Sequence, residues 1–296
     1  MKIAVTLDLE MSRHYPKRGM TRWDYEKGNL DDASKEYTLR AARRLKEAGG
    51  VLNAFVLGRT LEQENVDWLL DLIEGGHQLG NHTYDHVKLV ARSPETLQFR
   101  FKRAPWLLRG VPVEEAIVDN IRMAEEAMRT RLGVTPVGFC CPYGFPDGLT
   151  RRPDLQRMLH DFGYRWVISH YREAPEIPRT GPGSREFGRI SKNVARVQPY
   201  RYPIDLVELP IGCPTDVMVF RSRRWKLDEF VAMVERCCRF AIERDLTFHF
   251  ASHPSCLGVV DPELKTIGRI CEIVEESGKA ARLASLTQIA KEVEGK

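Results

Sequence analysis

The sequence predicts an α/β protein built on a parallel sheet with covering helices, and three observations predict it. Short β-rich apolar runs alternate with longer stretches of helical spacing along most of the chain. Glycines fall where the helical stretches should stop. The 296 residues, 43% of them hydrophobic, can supply one core of the size that barrel-like α/β folds commonly occupy.

Taken in order, Lys2 to Leu9 is the first β-rich run. Asp31 to Ala48 has Ala42, Leu45 and Ala48 on one helical face and stops at Gly49-Gly50. Val51 to Leu57 reads as a buried strand, and Asn65 to Glu74 as a helix ending at Gly75-Gly76. Val113 to Leu132 is a long amphipathic helix closed by Gly133, with a strand from Pro136 to Cys140 behind it. Arg152 to Phe162 is helical up to Gly163, and Arg165 to Ser169 is a strand. Val207 to Pro210, Leu227 to Arg244 and Thr247 to Ser252 continue the alternation. A helix near Pro262 to Glu276, a short strand at Arg282-Leu283 and a final helix close it. The expected organisation is a single domain over residues 1–296 with inserted loops near 11–29, 87–110 and 172–203. Such loops commonly build a substrate pocket, and they equally suit surface decoration or contacts in a homo-oligomer.

Composition narrows the function classes. A net charge of only +4, spread along the chain, gives no reason to expect nucleic-acid binding. Mean hydropathy of -0.37 and the lack of any bilayer-length apolar run argue against a membrane span. The first strand begins at the second residue with no signal-like segment before it, and the seven cysteines are odd in number with two adjacent pairs. Reduced thiols and cytoplasmic residence are the expectation.

Four sites carry chemistry-bearing residues. Asp8 and Glu10 end the first apolar run on the same side of a strand, where two acids could simply cap a loop. His82 and His86 stand four residues apart behind a glycine turn, so that both imidazoles can converge on one cation. Cys141-Pro142-Tyr143-Gly144 and Phe248-His249-Phe250-Ala251-Ser252-His253-Pro254 follow.

In that order and spacing the chain resembles the polysaccharide deacetylase family, the NodB-like carbohydrate esterases of family 4, in its D-x-E branch. His82-Thr83-Tyr84-Asp85-His86 matches the H-[ST]-x-x-H motif in full, and Pro142-Tyr143-Gly144 matches the end of R-x-P-Y-G. The resemblance runs from about Lys2 to the final helix and implies a distorted, incomplete (β/α) barrel of the NodB type, with its site at the strand C-termini. It implies amide hydrolysis at a divalent metal held by Glu10, His82 and His86. Two imidazoles and a carboxylate suit Zn2+, with Co2+, Ni2+ or Fe2+ also compatible. By the same analogy Asp8 is the general base, the Tyr143 backbone N–H helps hold the oxyanion, and His253 protonates the departing amine. His249, of the same strand parity, is the rival for that last role. Trp23, Arg22, Pro142 and His170 are candidates for substrate contact. Asp85 is expected to be a local hydrogen-bond partner, and His77 and His160 to be structural.

One departure stands out. Cys140 occupies the place of the arginine that in this family orients the base carboxylate. Arg13, Arg22, Arg92 and Arg103 are candidate replacements. Cys140 and Cys141 read as small core residues, with thiolate ligation of the metal as the alternative. The expected function is removal of an acyl group from an N-acetylated sugar or related small molecule. The alternatives are a hydrolase of linear or cyclic amides of the allantoinase or cyclic-imide kind, and a catalytically silent binding protein of the same fold.

Overall fold

The computed structural model describes residues 1–11, 26–171, 177–178 and 182–295. In chain order, strands β1 (Lys2–Leu9), β2 (Leu52–Val56) and β3 (Gln78–Asn81) are separated by helices α1 (Asp32–Glu47) and α2 (Asp67–Glu74). Helix α3 (Val113–Leu132), β4 (Gly138–Phe145), α4 (Pro153–Asp161) and β5 (Trp166–His170) follow. Next come α5 (Ser184–Val194), the short β6 (Tyr200–Arg201) and β7 (Val207–Glu208), α6 (Leu227–Glu243) and β8 (Phe248–Ser252). Helix α7 (Lys265–Glu276), β9 (Arg282–Leu283) and α8 (Leu286–Glu294) end the chain.

The strands form one sheet in the order β6-β7-β5-β4-β3-β2-β1-β8, with β9 on β1. Every pairing is parallel except β6 with β7. The sheet curls into an incomplete barrel. The irregular chain after β7 reaches β8, where the Gly212 N–H donates to the His249 carbonyl at 2.8 Å.

Strand alternation sorts the core into layers. The odd residues of β1, from Ile3 to Leu9, join β2 and β8 residues and pack outward against α1, α2, α6 and α7. Phe139, Cys141 and Val167 pack outward against α3 and α4. Ala4, Phe55, Cys140, Trp166 and Ile168 point inward, where Leu286, Ile289 and Ala290 of α8 pack against them. Room for the inward rings requires glycine. A Cβ on Gly80 would lie 2.5 Å from the Phe55 ring, and one on Gly138 would lie 2.0 Å from the Trp166 ring. This parity also directs Thr6 and Asp8 into the barrel.

Three expectations change. The strand expected over Pro136 to Cys140 continues to Phe145, with its register broken between Cys140 and Phe145. Strand β3 was hidden because it is only four residues long, set between its glycine turn and the histidine motif. The 172–203 insertion, expected to lack regular structure, contains α5, whose Phe187, Ile190 and Val194 recur at helical spacing and pack with α6. Gly183 and Gly188 mask that period in the sequence. Among the described residues no helix is long and apolar enough to cross a membrane, and all seven cysteines are free thiols.

The β5–β7 seam depends on a buried acid. The Glu208 carboxylate accepts from the Ser169 and His170 backbone N–H groups, both at 2.8 Å, from the Tyr202 hydroxyl at 2.6 Å and from the Ser169 hydroxyl. Burial pushes its pKa up, against the donors that favour the anion. Removing the acceptor strands buried donors, which is costlier than losing a hydrogen bond outright. Glu208→Ala should therefore lose about 3 kcal/mol of stability, read as an early thermal or denaturant transition. Unchanged melting would show that the seam does not rely on this residue.

Candidate active site

The carboxyl ends of β1, β3, β4, β5 and β8 surround a cleft of about 240 Å³. Its lining includes Asp8, Glu10, Lys27, His82, His86 and His253, with Cys140, Ile168 and Ile211 supplying apolar wall. Each polar group is placed by local structure. Asp8 is on the inward face of β1, and Glu10 is the first residue beyond it. The Asn81 side chain at the end of β3 accepts from the Thr83 N–H at 2.7 Å, and the Asn120 side chain on α3 accepts from the Asp85 N–H at 2.8 Å. These bonds hold the histidine loop in a conformation where Thr83 and His86 have φ of 65° and 61°. Backbone strain of this kind persists only where surroundings over-determine it.

The two imidazoles converge on one carboxylate oxygen. His86 Nε2 is 2.8 Å and His82 Nε2 3.3 Å from Glu10 Oε1. His82 Nδ1 donates to the Cys140 carbonyl at 2.8 Å, which leaves Nε2 as the nitrogen that can offer a lone pair to a metal. A divalent cation between the carboxylate and two such nitrogens would be attracted by all three. Glu10, His82 and His86 each offer one donor atom within 4.8 Å of the others, so the residues present fit a divalent ion with two nitrogen ligands and one oxygen ligand. Burial pushes the His86 pKa down to about 3, keeping the ring neutral as a ligand must be. Burial opposes ionisation of Glu10, but His86, Lys27 and the two imidazole hydrogen bonds hold its carboxyl well below the usual range.

His253 lies across the cleft, with Nε2 3.7 Å from both Asp8 Oδ2 and Glu10 Oε1. Its Nδ1 contacts Oδ1 of the fully buried Asp216 at 2.8 Å, while Asp216 Oδ2 accepts from the His253 and Leu257 backbone N–H groups. Burial works against the imidazolium, but Asp216 foremost, with Glu10 and Asp8, outweighs it and raises the His253 pKa to about 9. Asp8 is shifted upward by burial, partly offset by His82 and His253. His249, the rival, lies inside the barrel. Its Nδ1 faces the Leu209 and Pro210 carbonyls at 3.2 Å and its Nε2 the Thr6 hydroxyl at 3.1 Å, and burial lowers its pKa to about 4.

The other expected residues divide. Tyr143 is at the rim with φ 69°, its ring 4.8 Å from that of His86. Pro142 does not line the cleft, although Cys141 and Tyr143 on either side do. His170 is not in the lining either; its ring meets Tyr200 edge-on at 6.2 Å while neighbouring Ser169 and Tyr171 face the cleft. Strand parity placed His170 at the end of β5 but could not foresee Tyr200 beside it. Asp85 is a local partner, paired with Arg100 at 2.6 Å. Cys140 and Cys141 are buried, and burial pushes both thiols up. Arg92 is exposed and pairs with Glu114, and Arg103 is exposed, so neither replaces the missing arginine. Arg13, Arg22 and Trp23 lie outside the described residues. Sequence reasoning missed Asp216, which stands 37 residues before its histidine in an irregular segment; only a parity-independent contact links them. It also gave no role to Lys27.

A curled α/β sheet with this cleft at its strand ends has the architecture of hydrolases of the deacetylase kind. The family model described as polysaccharide deacetylase, a family of carbon–nitrogen hydrolases, matches residues 29–167 of the chain. Solved structures agree on the fold. A putative polysaccharide deacetylase from Mycobacterium smegmatis is 17% identical with a TM-score of 0.64, over 99% of this chain and 90% of that one. A probable polysaccharide deacetylase from Pseudomonas aeruginosa PAO1 is 13% identical with a TM-score of 0.67, over 100% and 91%. The Puue allantoinase is 12% identical with a TM-score of 0.63, over 100% and 90%. A search of curated proteins found no match.

The Asp216 contact makes a direct prediction. In Asp216→Asn the His253 imidazole, followed by NMR titration, should lose its upward shift and titrate at least one unit below about 9. A midpoint that stays put would remove Asp216 as the cause.

Proposed function

We propose that this protein is a metal-dependent hydrolase that deacylates a small N-acyl compound, an N-acetylated sugar or a relative of one. The observation that carries the reading is the convergence of Glu10, His82 and His86 donor atoms opposite Asp8 and His253 in one cleft. A cleft of about 240 Å³ favours a compact amide over a polymer chain.

A bound divalent cation, Zn2+ by ligand type, would acidify a water and polarise the amide carbonyl. Glu10 Oε1 and the Nε2 atoms of His82 and His86 would hold it, leaving positions open on the cleft side. Asp8 accepts the proton of the attacking water. The Tyr143 backbone N–H donates to the oxygen of the tetrahedral intermediate. His253, kept protonated by Asp216, gives its proton to the nitrogen as the C–N bond breaks. The apolar wall of Ile168 and Ile211 suits the acyl methyl. Cytoplasmic residence would make a soluble metabolite the natural substrate.

A second reading, hydrolysis of a linear or cyclic amide, is favoured by one observation. With Cys140 in the arginine's place, the strongest influences lowering the Asp8 pKa are two histidines, so the base is held differently from the family pattern.

Metal analysis of the purified protein beside His82→Ala, followed by screening of N-acyl sugars and then cyclic amides, tests both readings. About one equivalent of metal, lost in the variant, is expected. Asp8→Asn should keep the metal and lose turnover by roughly a hundredfold or more. Metal content that is unchanged in His82→Ala would discard the ligand set.

The pH profile has a stated sign. Asp8 must be ionised, so activity falls as pH drops through its raised pKa, above the usual carboxylate value. His253 must be protonated, so activity falls again as pH rises through about 9. A bell-shaped kcat/KM profile is expected, and an activity flat up to pH 11 would exclude His253 as the acid.

A further inference from the structure

Among the described residues, a cation beside the converging donors is one that the chain itself supplies. Lys27 Nζ pairs with Oε2 of Glu10, while Oε1 of the same carboxylate faces the two imidazoles. The lysine side chain is only 3% exposed. Its backbone is fastened at the same place, because the Gly28 N–H donates to the Glu10 carbonyl at 2.6 Å. Gly28 has φ +86°, and a Cβ there would fall 2.4 Å from the Arg59 Cβ, so this turn fits only glycine and is wedged against the following wall. The ammonium is therefore a fixed charge in the cleft.

We propose that Lys27 is a positioning residue that weakens the metal centre. By occupying one oxygen of Glu10 it restricts the carboxylate to a single ligand atom, and its positive charge repels a divalent ion bound at the other. The expected consequence is a metal that exchanges readily. The inference rests on Glu10, His82 and His86 being the metal ligands. Its physical basis is simple: a unit charge a few ångströms from a divalent ion in a poorly solvated cleft is worth more than one order of magnitude in affinity. A neutral side chain of the same length removes the repulsion and frees Oε2 for bidentate ligation.

The test is calorimetric titration of Zn2+ into chelator-stripped protein, comparing wild type, Lys27→Met, Lys27→Arg and His86→Ala, with thermal melts of each. Lys27→Met should bind one equivalent roughly tenfold or more tighter than wild type. Lys27→Arg should bind like wild type, and His86→Ala should bind poorly. Lys27→Gln, also neutral, answers the same question should the Met variant melt early. Uptake by Lys27→Met and not by wild type would be the strongest support. Equal or weaker binding by the neutral variants would overturn the inference while leaving the metal centre standing, since Lys27 would then support Glu10. Tightening in Lys27→Arg as large as in Lys27→Met would overturn it too, because charge would not be the cause. If none of the proteins takes up Zn2+, the metal reading falls and this inference falls with it.

Discussion

Glu10 is a carboxylate taken out of water at the end of a barrel strand, and it must be compensated there. An unpaired buried charge costs several kcal/mol, enough to unfold a marginal domain. Compensation comes from two chain segments: the loop after β3 with its two histidines, and the segment after β1 with Lys27. Each is immobilised in turn, the histidine loop by Asn81 and Asn120 and the lysine by the backbone bond from Gly28. The strain at Thr83 and His86 is tolerable because these contacts leave the loop no alternative.

The same constraint pushes the neighbouring groups apart in acidity. Asp8 and Glu10 share the cleft with Asp216 behind His253, three carboxyls around one lysine and a set of imidazoles. The least compensated of them, Asp8, is shifted up, and Glu10 is shifted down. Of the histidines, His86 has no acid behind its far nitrogen and stays neutral, whereas His253 has Asp216 and becomes the cation. Divergent pKa values among adjacent groups are how a site acquires separate acid, base and ligand roles. Here the divergence follows from which side chain has a buried partner.

Much of the fold was legible because periodicity and glycine stops are local signals. Strand parity put Asp8 and Glu10 on one side of the first strand and set Cys140 and Cys141 on opposite faces, and the two cysteines do fall in separate clusters. The alternation also separated β1, β2, β5 and β8 from their helices. Legibility failed where the signal was not local. Helix α5 was masked by two glycines, and β3 is too short to show a period of two. His170 has the right parity, but Tyr200 from a later strand sits beside it. Asp216 lies in an irregular segment and meets His253 only through the closure of the barrel between β7 and β8, which no spacing encodes.

The place of the missing arginine shows how this closure matters for chemistry. Cys140 faces inward and touches the cleft, and its carbonyl, not its thiol, does the positioning by accepting from His82 Nδ1. A carbonyl is available from any residue, so the side chain at this position is released from that task and can be small and apolar. Burial keeps the thiol protonated, so it adds no further negative charge beside Asp8. An arginine here would bring a further cation into a cleft whose lining already contains Lys27 and Arg221. The small residue and the buried lysine are thus mutually consistent. Among the described residues, the β4 side of the cleft therefore presents Asp8 with a small apolar side chain where the family motif has an arginine.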